Sequence, residues 1–200
     1  MSSTTERPTR HLDIGCGAVP RNPYRRTELH GVDICASTCE NWEIRMANLS
    51  VQPIPYPDNH FDSLSAYDFL EHVPRILPTA DGLSTRFPFI ELMNEIWRVL
   101  TPGGLFYACT PVYPHVATFV DPTHVNPLAR GSHVYFTQPQ LLGRMYGFSG
   151  NFEVKRVLCV KPSGVYEAEN PGLSERIRRY LRERRQSSSH VIWEFIARKP

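Results

Sequence analysis

The segment His11-Leu12-Asp13-Ile14-Gly15-Cys16-Gly17, taken with Gly31-Val32-Asp33-Ile34, decides the fold of this chain. A short apolar run ends in a Gly-x-Gly turn, and a second apolar run ends in a carboxylate. In an open α/β sheet this order lays a nucleotide-type ligand across the carboxyl ends of two parallel strands. Gly15 and Gly17 allow a tight turn and let the backbone approach a ligand where a Cβ would obstruct it. The spacing excludes a dinucleotide site, because a pyrophosphate turn carries a third glycine that opens a helix. Here Gly17 is followed by Ala18-Val19-Pro20-Arg21-Asn22-Pro23, which starts no long helix, so a compact or extended crossover over 18–26 is expected.

Outward from this segment the elements alternate as in a parallel sheet covered by helices. Strands are expected over 11–14, 29–34, 43–49, 61–67 and 105–110, with a short helix over 36–42. The clearest helix covers 89–100, where Leu92, Ile96, Val99 and Leu100 share a face. Thr101-Pro102-Gly103-Gly104 ends it. A further helix is expected over 139–146, with Pro139 suited to its first turn. Two late strands, 152–161 and 191–199, suit an antiparallel hairpin at one sheet edge. The count is a seven-stranded, mostly parallel sheet with one antiparallel edge strand.

Four ordered segments then carry a family resemblance. The Gly15-Cys16-Gly17 turn resembles the first motif of the class I S-adenosylmethionine-dependent methyltransferases. Pro53-Ile54-Pro55-Tyr56-Pro57-Asp58-Asn59-His60-Phe61-Asp62 resembles the family's lead into its fourth strand. Tyr67-Asp68-Phe69-Leu70-Glu71-His72-Val73 is similar to the segment leaving it, and Asn94 to Gly104 to the helix and turn before the fifth. The resemblance implies a Rossmann-like three-layer fold with S-adenosylmethionine as cofactor, in a small single-domain bacterial subfamily. It implies that Asp13, Gly15, Cys16 and Gly17 border the methionine part, that Asp33 accepts the ribose hydroxyls, and that Ile34 covers an adenine face. Asn48 stands where many relatives carry an aspartate for the adenine amino group; its amide oxygen accepts without charge assistance, and the Leu49 amide is a companion donor. Asp68 either holds the cofactor's ammonium or caps a helix starting near Phe69. Tyr67 borders the methyl group.

The loop over 111–133 is the expected acceptor side, at the carboxyl edge of the sheet. Asp121-Pro122-Thr123-His124-Val125-Asn126 resembles the substrate-side segment of that bacterial subfamily. A base is needed only where the acceptor is protonated at neutral pH. His124 is the leading candidate and His115 the second, while Asp121 either holds an imidazole tautomer or caps a turn at Pro122. The spacing of His115, Asp121 and His124 permits a divalent-metal site without specifying one, and no metal is assigned.

Composition narrows the remaining classes. Two hundred residues at 41% hydrophobic content suit a single domain over 11–200, behind a polar and flexible 1–10. The absence of a signal-type or membrane-length apolar run makes a cytoplasmic location and no membrane partner the expectation. Five scattered cysteines suit reduced thiols, and Cys35 and Cys39 lack a second pair for a zinc site. A net charge of +2 argues against strong nucleic-acid binding, although residues 174–185 carry six arginines against two glutamates. The expected activity is methyl transfer to oxygen or nitrogen of a small or medium-sized metabolite, by a monomer or homodimer. The arginine cluster motivates a nucleic-acid methyltransferase as the runner-up. Asn48 and the short crossover motivate a third reading, a catalytically inactive cofactor-binding partner protein.

Overall fold

A computed structural model describes residues 7–35, 42–161, 172–174, 177, 178, 181 and 188–200. In chain order the elements are β1 (Arg10–Ile14), β2 (Glu28–Asp33), β3 (Glu43–Met46), β4 (Phe61–Tyr67), a small hairpin of β5 (Leu77–Pro78) and β6 (Thr85–Arg86), α1 (Pro88–Val99), β7 (Leu100–Tyr113), α2 (Ala117–Val120), β8 (Leu128–Ala129), β9 (Phe152–Val160) and β10 (His190–Ala197). The main sheet runs β3-β2-β1-β4-β7-β10-β9, with β8 added beside the end of β7. From β3 to β7 all pairs are parallel. β10 runs antiparallel to both β7 and β9, so the last two strands form the expected antiparallel pair, with β9 outermost.

The chain leaves β1 for β2 and β3, then returns to β4 on the other side of β1. This reversal is the switch point at which open α/β sheets bind ligands, beyond the carboxyl ends of the strands. β1, β4 and α1 lie where the apolar spacing puts them. Pro88 occupies the first turn of α1, and Leu92, Met93, Ile96 and Val99 bury one face before Leu100 turns extended at ψ 143°.

Three differences from the expected elements have local causes. The helix expected over 139–146 is only a 3-10 turn at Leu142–Tyr146, because the buried Leu141 before it adopts a left-handed conformation at φ 46°. The strand expected over 43–49 stops at Met46, since Asn48 opens a turn that accepts the amides of Val51 and Gln52. β7 extends beyond 105–110 at both ends because β4, β8 and β10 supply pairing partners along it. The crossover 18–27 contains no helix, as Pro20 and Pro23 lead one to expect. The helix expected over 36–42 falls outside the described residues except Trp42. Within the arginine-rich stretch only Ser174, Ile177, Arg178 and Leu181 are described, and all four are helical and exposed. Cys16, Cys35, Cys109 and Cys159 are free thiols, and Cys39 lies outside the described residues.

Candidate active site

The glycine turn sits at the switch point and is tied to β2. Gly15 donates its amide to Val32 O at 2.8 Å, and Gly17 donates to Asp33 Oδ2 at 2.9 Å. Both glycines have positive φ, 63° and 60°. They serve different ends. A Cβ on Gly15 would lie 2.4 Å from the Phe69 ring, so the close approach there is to the segment leaving β4. A Cβ on Gly17 would meet nothing within 4 Å, so that face of the turn is open. Asp33 also accepts from Cys35 N at 3.0 Å, which leaves further lone pairs on both oxygens for hydroxyl groups. Beside it Ile34 is 62% exposed, an apolar side chain of the kind that covers a flat base.

Asp13 and Cys16 lie beneath this surface. Asp13 is 1% exposed; Oδ1 accepts from Ser65 Oγ at 2.5 Å and Oδ2 from Arg21 N at 2.8 Å, so its carboxyl braces the crossover. Burial raises its pKa to about 6 against the lowering effect of those bonds. Cys16 packs against Gly31, where a Cβ would lie 2.7 Å from its sulfur. Burial pushes the Cys16 thiol up to about 12, so it stays protonated and unreactive. Gly31 is thus a structural requirement that sequence reasoning quoted without assigning it a role. Asn48 spends its amide oxygen on Ser50 N at 3.1 Å, and Leu49 is buried.

Across the switch point, Asp68 leaves β4 at φ 46°, with its amide on Cys109 O at 2.8 Å. Its carboxylate lies 3.2 Å from His190 Nε2. It does not cap the following 3-10 turn Leu70–His72, whose N-cap is Phe69 and which has no side-chain cap. Tyr67 is 6% exposed, with its ring 5.2 Å from that of Tyr107 and the Arg21 guanidinium 4.6 Å above it, so it belongs to the buried side of the strand.

The candidate bases separate. His115 Nδ1 accepts from Ala117 N at 3.1 Å, where it opens α2. Asp121 orients neither His115 nor His124: its Oδ1 accepts from Thr123 N at 2.8 Å and from Thr123 Oγ1 at 2.6 Å, which is a turn cap. Through Thr123 Oγ1 it reaches His72 Nδ1 at 2.9 Å. His124 folds back to the segment leaving β4, because Val125 N and Asn126 N both donate to Glu71 O at 2.9 Å. There His124 Nε2 lies 3.9 Å from Glu71 Oε1, and the His72 and His124 rings are 4.8 Å apart. Glu71 is 1% exposed and accepts from Thr110 Oγ1 at 2.8 Å; burial raises its pKa. Glu71 and His72 were legible only as residues one turn beyond Asp68.

Asn126, whose amide is bonded to Glu71 O, also lines a chamber of about 420 Å³, walled chiefly by Phe87, Phe89, Tyr135, Phe136 and Tyr146 with Arg75 at one side. Arg75 Nε donates to Asn126 Oδ1 at 2.7 Å, and Asn126 Nδ2 donates to Leu70 O at 3.0 Å. The fully buried Asn126 therefore couples the chamber wall to the Glu71 segment.

A family model described as a methyltransferase domain matches residues 12–108, the stretch from β1 into β7 that contains the glycine turn, Asp33, Asp68 and Glu71. Residues 12–108 thus form a methyltransferase domain, and the fold is that of the class I S-adenosylmethionine-dependent methyltransferases. Solved structures share the fold at low identity. A chain of the complex between the Haloferax volcanii Trm112 methyltransferase activator and a methyltransferase superposes with a TM-score of 0.58 at 14% identity, over 98% of this chain and 85% of that one. The YcgJ protein of Bacillus subtilis gives 0.55 at 16%, over 96% and 93%. The Haemonchus contortus phosphoethanolamine N-methyltransferase 1, solved with phosphoethanolamine and S-adenosylhomocysteine, gives 0.57 at 13%, over 96% of this chain and 40% of that one. No curated protein matches the chain in sequence. The methyltransferase is thus an enzyme with S-adenosylmethionine as its cofactor. The residues fit that group: the open face of Gly17, the unspent lone pairs of Asp33 and the exposed Ile34 lie together at the switch point. No helix among the described residues is long and apolar enough to cross a membrane.

Proposed function

We propose that the methyltransferase acts on an oxygen or nitrogen of a small or medium-sized metabolite that enters beside the carboxyl ends of β4 and β7. The observation that carries this reading is the chamber of about 420 Å³ whose wall residue Asn126 donates its amide to Glu71 O at 2.9 Å. Its size falls in the range of small-ligand sites, roughly 300–1,000 Å³. An aromatic lining with one fixed guanidinium suits an acceptor with a flat or apolar body and an anionic end. When bound, S-adenosylmethionine supplies an electrophilic methyl group.

The chain's own residues then bind and orient. Asp33 and the turn Gly15-Cys16-Gly17, underpinned by Asp13, hold the ribose and methionine parts, Ile34 with Asn48 and Leu49 the adenine, and Asp68 the ammonium. Tyr67, buried under Arg21, shapes the floor and touches no reacting atom. His124 receives the acceptor's proton: its Nδ1 donates to Thr118 O at 3.2 Å, which leaves Nε2 with a lone pair. The coil 18–27 and the hairpin β5–β6 help to keep water from the site. We take the protein to be cytoplasmic and bacterial, as a monomer or homodimer, with 11–200 as one domain.

Two measurements test this reading. Asp33→Ala is expected to weaken S-adenosylmethionine binding about 10- to 100-fold by calorimetry, the loss that one charge-assisted pair of about 1.5–3 kcal/mol implies. Incubation with methyl-labelled cofactor, small aromatic acids and amines, and transfer RNA should label a small molecule. Label confined to RNA would overturn the acceptor class.

A further inference from the structure

We propose that Glu71, His72 and His124 form a binding site for one divalent first-row transition-metal ion of the zinc, iron(II) or cobalt(II) class. One ligand atom from each residue lies within 4.8 Å of the others. His124 Nε2 and Glu71 Oε1 are 3.9 Å apart, too long for a hydrogen bond. Two ligands on a tetrahedral zinc at about 2.0–2.1 Å stand about 3.4 Å from each other, so small side-chain rotations close the set.

The hydrogen bonds around the cluster determine which atoms are left to ligate. His124 Nδ1 faces Thr118 O, a carbonyl that can only accept, so Nδ1 carries the proton. Thr123 Oγ1 gives its single proton to Asp121 Oδ1, so it must accept from His72 Nδ1. In each neutral imidazole the proton therefore sits on Nδ1, and the Nε2 lone pair is the one left to ligate. The carboxylate is prepared in the same way. Glu71 Oε2 takes the Thr110 hydroxyl, while Oε1, in a residue 1% exposed, has no hydrogen-bond partner among the described residues. A buried carboxylate oxygen without a donor is costly unless a cation meets it. Each proposed ligand therefore has its second atom fixed by a partner, the arrangement that orients metal ligands in proteins.

Two imidazole nitrogens and one carboxylate oxygen select borderline divalent ions over calcium or magnesium, and three protein ligands leave open positions. The existence of the site stands on this geometry alone; its use rests on the methyl-transfer reading. In that use an acceptor hydroxyl occupies an open position, releases its proton to solvent as its pKa falls, and takes the methyl group at the same oxygen. The cofactor leaves as a neutral thioether. With the ion bound, His124 Nε2 is a ligand and the ion lowers the acceptor's pKa; in the metal-free protein His124 is the base.

The test is titration of chelator-treated full-length protein with Co(II) and with Zn(II), followed by calorimetry and visible absorption. The expected result is one equivalent per chain, with cobalt d–d bands and no thiolate charge-transfer band. Glu71→Gln and His124→Ala should each weaken binding at least 100-fold, and Asp121→Asn about 10-fold through His72. His115→Ala should leave it unchanged. Retained S-adenosylmethionine binding reports that each variant is folded, and His72→Asn replaces any that is not. Absence of stoichiometric binding, a thiolate band, or undiminished binding in Glu71→Gln and His124→Ala would overturn the proposal. Methyl transfer by metal-free protein defeats the metal role and leaves the proposed function standing, whereas metal binding with no small-molecule product does the reverse.

Discussion

On one face of the sheet Leu12, Ile14, Leu64, Ala66, Phe106, Ala108, Trp193 and Phe195 form a continuous apolar layer beneath α1 and the aromatic side chains of 136–152. On the other face the alternate residues of the same strands are His11, Asp13, Ser63, Ser65, Tyr67, Tyr107 and Glu194, and they too are buried. The first face is held by area and close packing. The second is held by satisfied polar groups. His11 bonds Ser63 Oγ and Ser65 Oγ, each at 2.8 Å, and Ser65 passes on to Asp13. Glu194 accepts from Tyr24 Oη and Lys155 Nζ, each at 2.9 Å, and from Arg156 Nε at 3.0 Å. The difference traces to the crossovers. Where α1 lies, a helix supplies an apolar stripe; where 18–27 lies, a proline-broken coil supplies Arg21, Tyr24 and Arg26. A coil carries unsatisfied backbone groups and charged side chains, so the strands beneath it need polar residues.

Breaking the apolar face should cost most. Phe106→Ala, at 0% exposure among Phe152 and Phe195, is expected to lower unfolding free energy in urea by about 3–5 kcal/mol. A value under about 1 kcal/mol would show that the layer repacks and is not the main support.

The polar face should instead reveal itself through pH. Burial lowers the His11 pKa to about 3, so the unfolded chain binds an extra proton below about pH 6.5 and His11 makes the protein less stable as pH falls. Asp13 is opposite in sign. Its pKa is raised to about 6, so the native state holds the extra proton between about pH 4 and 6 and gains stability as pH falls there. The two nearly cancel across that window. Asp13→Asn removes the compensating group, and its unfolding free energy in urea should fall from pH 6 to pH 4 by up to about 1.4 kcal/mol per pH unit while the parent's stays level. Parallel profiles for the two proteins would refute the coupling.

The smallest effect sharpens the contrast at a single bond. Tyr24→Phe removes one donor to Glu194 while Lys155 and Arg156 remain, and should cost about 1 kcal/mol in the same urea assay. A cost near that of Phe106→Ala would mean that the tyrosine anchors the whole crossover.

Much of the apolar half was legible in sequence. The spacing of Leu92, Ile96 and Val99 and the run of Phe61 to Tyr67 report periodicities that local burial enforces. The helix expected over 139–146 was not realised, because the burial of Leu141 required a backbone turn that its local sequence does not advertise. The polar half was read only in part. Asp13 was singled out with the glycine turn, but His11, Ser63 and Ser65 resemble solvent-facing alternation, and only the pairing of β1 with β4 brings them into one ladder. At the site, Asp33 and Gly17 were recognisable because a short-range turn defines them. Glu71 and His124 were not recognisable as a pair, since two backbone hydrogen bonds from 125 and 126 to Glu71 create their proximity.

The sequence by itself determined the parallel α/β order and the switch-point turn, because these follow from strand periodicity and from glycine and carboxylate positions close along the chain; the methyl donor followed from the resemblance of four ordered segments to a known family. Tertiary structure alone decided that His115 stands apart, that Asp121 serves His72, and that a buried carboxylate meets two imidazoles. Those relations depend on the return of the loop after β7 onto the segment leaving β4, and no local propensity encodes such a contact between distant segments.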